Sequence, residues 1–300
     1  MKKNSEINKV LVCLDLTKID EHLIQYASFI SQTLNVDKVT FIHIIQAYDL
    51  PDRSGKELPQ IETSLNKNIK EEIGEISNSK FQKETKIDVI TKIEDEDAAN
   101  IIIDFVKKEE FDLVLIGQKF GQDREGRYGQ KIAASIDTDI MFVPQGAPLS
   151  FENILCAIDL SKESEKAFAL AKNFTIKTGK KLSCYYIFDT SESYFPASTL
   201  QAYSALGNKA QKKFKKFLKK RDIKEKEVNF YFTVEAEAEN QAKKVYEKAK
   251  TLNASMIVIG AKGNTNKVTS LLGNITENFR QIEKEIPVLI IQNPDKKGLF

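Results

Sequence analysis

The chain lacks tryptophan altogether and has only three cysteines, three methionines and two histidines in 300 residues. Each scarcity excludes something. His22 and His43 have no partner at metal-ligand spacing, so neither a metal site nor a metallohydrolase is expected. Cys13, Cys156 and Cys184 lie inside apolar runs and form no C-x-x-C pair, so they read as reduced core residues and point to a cytoplasmic location. No apolar run approaches the about 20 residues of a membrane-spanning helix. The polar start, Met1 to Glu6, turns directly into a short apolar stretch, so no leader or membrane anchor is expected. Walker-type G-x-x-x-x-G-K-[ST], dinucleotide G-x-G-x-x-G and nucleophile-elbow G-x-S-x-G patterns do not occur at strand ends, and no complete catalytic set is visible.

What is present is an ordinary globular composition, 41% hydrophobic and 29% charged, with its charge unevenly divided. Residues 1–150 carry 19 basic and 26 acidic side chains, a net −7, against 26 and 17, a net +9, in residues 151–300. The asymmetry suits either a second half that meets anions or two halves that attract each other. Lys209 to Arg221 holds eight basic residues around Ala210, Phe214, Phe217 and Leu218. Apolar residues at core spacing make it a helix with a solvated basic face, and nucleic acid is not the expected partner.

The chain also repeats itself. Lys9 to Asp15 (KVLVCLD) returns 144 residues later as Asn153 to Asp159 (NILCAID), followed by Leu16-Thr17-Lys18 and Leu160-Ser161-Lys162. Strand-like runs at 38–45, 86–93, 112–117 and 139–143 have counterparts at 181–188, 228–234, 255–260 and 287–291. Between them lie segments with apolar residues at helical spacing, such as Leu23, Tyr26, Ala27, Ile30 and Leu34, or Ala242, Val245, Tyr246 and Ala249. Alternating strands and helices with continuous apolar strands predict an α/β chain of two tandem doubly wound domains. Each is a five-stranded parallel sheet of order 3-2-1-4-5 with helices on both faces. The expected boundaries are 1–146 and 151–294, around the short Pro144 to Phe151 link.

The informative glycines follow the fourth strand of the second half: Gly260-Ala261-Lys262-Gly263, then nine residues, then Gly273-Asn274. Glycine at a strand end lets backbone approach a ligand, and amides opening a helix suit an anion such as phosphate. Spacing alone is equally compatible with glycines that only make a turn and permit close packing. In the first half the corresponding loop is Gly117-Gln118-Lys119-Phe120, with phenylalanine where the second glycine belongs. Arg124 and Arg127 nearby read as solvated.

At these positions the sequence resembles the universal stress protein family, whose nucleotide-binding members carry G-x2-G-x9-G. The resemblance covers the whole second half and, more loosely, the first. It implies nucleotide contacts at Ala157, Asp159 and Ile187 for base and ribose. It also implies contacts at Gly260, Lys262, Gly263, Gly273, Asn274, Ile275 and Thr276 for phosphates. Asn274 stands where serine is commoner. The resemblance therefore implies a stress-response binding protein that takes ATP or a related adenine nucleotide, with or without Mg²⁺, in its second domain, the first having a degenerate loop. A nucleotide-free scaffold for protein or small-molecule partners, and a slow ATP hydrolase, are the alternatives left open. Pairing of the domains within the chain and a homodimer are further expectations.

Overall fold

The most apolar runs of the sequence become inner strands of the sheet in each half of this computed structural model, which describes residues 7–46, 58–82, 84–118, 126–160, 162–189, 200–235, 238–261 and 285–292. The chain divides into two compact units, the first ending at Gly146 and the second beginning at Ala147.

In the first unit, β1 (Lys9–Leu14), β2 (Lys38–Gln46), β3 (Lys86–Glu94), β4 (Leu113–Gln118) and β5 (Asp139–Pro144) are all parallel, in the order β3-β2-β1-β4-β5. Seven consecutive residues of β2, Val39 to Ile45, are buried, as a strand covered on both faces requires. Helices α1 (Lys18–Leu34) and α2 (Leu58–Lys80) pack together, and so do α3 (Ala98–Glu109) and α4 (Gly126–Ser135). Right-handed crossovers explain the pairing. The chain moves one way across the sheet from β1 to β3 and the other way from β3 to β5, so the helix pairs cover opposite faces.

Local chemistry fixes the ends of these elements. α1 stops at Asn35, which takes the left-handed conformation (φ 56°) and directs its N–H to the Ser31 carbonyl. At the start of α3, the Asp97 carboxylate accepts the N–H groups of Ala99 (3.0 Å) and Asn100 (3.4 Å). Of the acidic run 94–97, Glu94 belongs to β3 and Asp97 is the cap.

The second unit repeats the plan. β6 (Ile154–Ile158), β7 (Leu182–Asp189), β8 (Val228–Glu235), β9 (Met256–Gly260) and β10 (Val288–Ile291) are parallel in the order β8-β7-β6-β9-β10. Helices α5 (Lys162–Thr178), α6 (Leu200–Lys219) and α7 (Ala238–Thr251) connect them. Residues 262–284, which follow β9, lie outside the described residues. α5 packs through Phe168 and Phe174, both fully buried, with Phe174 meeting the Phe151 ring edge-on at 4.7 Å between centroids. α6 packs through Phe214, stacked on Phe230 of β8 at 4.2 Å. The three cysteines are free thiols, Cys156 and Cys184 buried and Cys13 half-buried. No helix among the described residues is long and apolar enough to cross a membrane.

Candidate functional site

In both domains the strand order reverses between the first and fourth strands, which opens a crevice at the carboxyl ends of β1 and β4, and of β6 and β9. The turn leaving the first strand is built alike in both. After Asp15, Leu16 has φ 58°, and after Asp159, Leu160 has φ 61°. A left-handed leucine is unfavourable by roughly 1–2 kcal/mol, so its recurrence shows that the fold imposes this turn twice. The sharp reversal leaves each aspartate at the strand end while the chain swings into the helix.

In the second domain Ile158 lies level with Tyr186 of β7, so the next step of the register brings Asp159 beside Ile187. Cys156 lies level with Val258, and two further steps bring Gly260 level with Ile158. Ala157 precedes Asp159 by two and shares its face of the strand. Ala157, Asp159, Ile187 and Gly260 are all half-buried at the mouth of an otherwise buried sheet, which marks the edge of a crevice. Lys262, Gly263, Gly273, Asn274, Ile275 and Thr276 lie outside the described residues.

Tyr186 belongs to this group, although the sequence reading passed over it. Its phenol is buried, and burial followed by the negative charge of Asp159 pushes its pKa up. The signal was there to be found. His43 lies level with Leu14 at the end of β1, and the same frame in the second half puts Tyr186 level with Ile158.

The first domain fills its crevice differently. Asp20, in the first turn of α1, is 8% exposed and turns its carboxylate back onto the strand end. Its Oδ2 accepts the N–H groups of Asp15 (3.1 Å) and Leu16 (2.7 Å). Burial first, then the charge of Asp15, push its pKa up to about 7 despite these amide bonds and that of Thr17. The residue at the same place in the second domain is Ser164, which brings no charge. The Thr17 hydroxyl donates to Asp15 Oδ1 (2.6 Å). His43 Nδ1 lies 3.0 Å from the Leu14 carbonyl oxygen, to which it must donate, and burial holds its pKa below the usual range. At Gly117 a Cβ would lie 3.2 Å from Ile19 Cδ1, so the Ile19 side chain packs closely over this strand end. Phe120 and Arg124, and the Arg127 side chain, lie outside the described residues.

These groups are not a nucleophilic centre. Burial raises the thiol pKa of Cys13 to about 12 and pushes those of Cys156 and Cys184 well up, so the thiolate that would react is not formed. Among the described residues no three His, Cys, Asp or Glu side chains gather to hold a metal ion. What the second crevice offers is a carboxylate beside an aliphatic side chain. That arrangement can accept hydrogen bonds from hydroxyl or amino groups while packing on a flat ring.

The sequence model described as "Universal stress protein family" matches the chain twice, at residues 6–141 and 150–292. Among solved structures, a universal stress protein from Archaeoglobus fulgidus DSM 4304 is similar over 97% of this chain and 98% of its own, with TM-score 0.64 and 15% identity. A putative universal stress protein from Pseudomonas aeruginosa UCBPP-PA14 is similar over 97% of this chain and 95% of its own, with TM-score 0.63 and 13% identity. At such identity the likeness is one of fold. No curated protein matches the sequence.

Proposed function

The chain belongs to the universal stress protein family, and from that premise we propose that it is a stress-response regulatory protein whose second domain binds ATP or a related adenine nucleotide. The observation that carries this reading is the half-buried Asp159, beside Ile187 and Gly260 at the point where the strand order reverses. The sequence continues from Gly260 as G-x2-G-x9-G. In this reading Asp159 accepts hydrogen bonds from ribose hydroxyls or the adenine amino group, and Ile187 packs on the base, with Ala157 beneath. Lys262 and the backbone of Gly260, Gly263, Gly273, Asn274, Ile275 and Thr276 take the phosphates. Any Mg²⁺ enters with the phosphates and is held by them.

The first domain takes no nucleotide in this reading. Asp20 engages the turn amides, Ile19 stands over Gly117, and Phe120 replaces the glycine that would let phosphate approach. The protein therefore binds one nucleotide per chain. Isothermal titration with ATP and Mg²⁺ tests this, and the expected stoichiometry is one. Gly263→Val places a branched side chain in the phosphate approach and should abolish binding while leaving the circular dichroism spectrum unchanged. Two equivalent sites, or unchanged affinity in Gly263→Val, would overturn the assignment. No heat of binding at millimolar ATP would favour a nucleotide-free scaffold.

A further inference from the structure

Helix α6 is a feature that the nucleotide reading leaves unused. From Leu200 to Lys219 it contains six lysines and no acidic residue. Its apolar face is committed to the core: Ala210, Phe214, Phe217 and Leu218 are at most 5% exposed. Its carboxyl end is clamped. Arg221 pairs with Glu165 of α5, lies 3.7 Å over the Phe217 ring and donates to the Phe217 carbonyl oxygen at 2.6 Å. The helix is thereby fixed in orientation, with the opposite face turned to solvent.

That opposite face is a lysine ladder. Lys209, Lys212, Lys213 and Lys216 follow one another at i, i+3, i+4 and i+7, all exposed, and Lys219 and Lys220 continue the row. The first four, with Ala205 and Asn208, line a shallow hollow of about 500 Å³. None of these four has an ion pair among the described residues, whereas Lys215, off the row, pairs with Glu225 at 3.1 Å. Like charges one turn apart repel by a few tenths of a kcal/mol per pair, and the helix contains no carboxylate to relieve them. Lys209 to Lys220 spans about 16 Å at 1.5 Å per residue, the length of about five phosphates along one nucleic-acid strand at 3.4 Å each.

We propose that the lysine face of α6 binds the phosphate backbone of a nucleic acid, without reading base sequence. The form of the surface distinguishes this partner from a membrane: from Lys209 to Lys220 no apolar side chain is exposed to insert, because Ala210, Phe214, Phe217 and Leu218 are in the core. A straight charged row beside a hollow suits a strand of phosphates. Asn208 lies within the hollow, able to hydrogen-bond sugar or phosphate oxygens. By sequence alone the basic residues of this helix form a solvated face. What changes the reading is the unpaired row, its fixed orientation and the hollow it lines.

The test is fluorescence anisotropy of the full chain with a labelled 20-base-pair duplex of arbitrary sequence. Four phosphate contacts predict a slope of log K against log salt near −3.6, or about a hundredfold loss of affinity between 50 and 200 mM salt. The variant K209Q/K212Q/K213Q/K216Q should lose at least tenfold in affinity at 50 mM salt. The charge-matched control K107Q/K108Q/K243Q/K250Q, altered on α3 and α7, should keep it. Acetylation footprinting of the unmodified protein provides a reading independent of the variants' folding, with Lys209, Lys212, Lys213 and Lys216 protected by the duplex. No binding at 50 mM salt, equal loss in the control, or absence of protection would each overturn the proposal. So would binding to phosphatidylserine vesicles without binding to the duplex.

Discussion

Replacing Asp20 by asparagine removes a buried charge while keeping an oxygen able to accept the Asp15 and Leu16 amides, which Oδ2 now receives at 3.1 and 2.7 Å. Because the carboxyl pKa rises from 3.8 to about 7 on folding, the native state holds this proton more tightly than the unfolded chain does. Stability from this group is therefore fully present below pH 4 and is lost as pH rises towards and through 7. At 1.36 kcal/mol per unit, the full effect is at most about 4 kcal/mol. The part that falls between pH 5.5 and 8.0 is about 2 kcal/mol, from the same linkage. Asparagine does not titrate, so Asp20→Asn should gain about 2 kcal/mol on wild type in going from pH 5.5 to 8.0. With a urea slope of about 2 kcal/mol/M, this is a relative shift of about 1 M in the midpoint of the transition that reports the first domain. His43, whose pKa burial lowers, is common to both proteins and cancels. Urea unfolding followed by circular dichroism at the two pH values is the assay. Parallel shifts of wild type and variant with pH would refute the reasoning, because they would mean that the Asp20 carboxyl titrates alike in folded and unfolded chains.

Two predictions concern how α6 is seated. Gly207 faces β8 so closely that a Cβ would lie 2.4 Å from the tip of the Phe232 ring. Gly207→Ala should destabilise by about 1–2 kcal/mol, the overpacking exceeding the gain in helix propensity. In a double-mutant cycle with Phe232→Leu, measured by urea unfolding, the cost at position 207 should fall, and strict additivity would contradict the contact. Arg221→Ala should cost about 1–3 kcal/mol by losing a charge-assisted bond and its stacking on Phe217. Arg221→Lys should recover less than half in thermal melts, because an ammonium cannot stack and bridge at once; full recovery would mean that charge alone matters.

By itself the sequence determined the architecture. The KVLVCLD and NILCAID phrases, 144 residues apart, and apolar runs such as Val39 to Ile45 required two parallel sheets covered on both faces, since only that environment buries both sides of a strand. It also placed Asp159 and Gly260 at one crevice, because the identity of a strand's last residues fixes what stands at the sheet's edge, whereas Ile187 came from the family resemblance. Other features are invisible in a linear reading because they depend on which groups meet across elements. Asp20 looked like an ordinary acidic residue in a first helical turn, and only the fold of the β1–α1 turn brings its carboxylate onto two backbone amides and next to Asp15, where burial changes its acidity. Tyr186 comes within reach of Asp159 only through the register of β6 against β7. The α6 lysines were plain in composition, but the tertiary structure decided which face of the helix they occupy and that Phe214 and Phe217 face the other way. Periodicity and composition are local properties of the chain, whereas burial, charge environment and register arise only when distant segments share the same space.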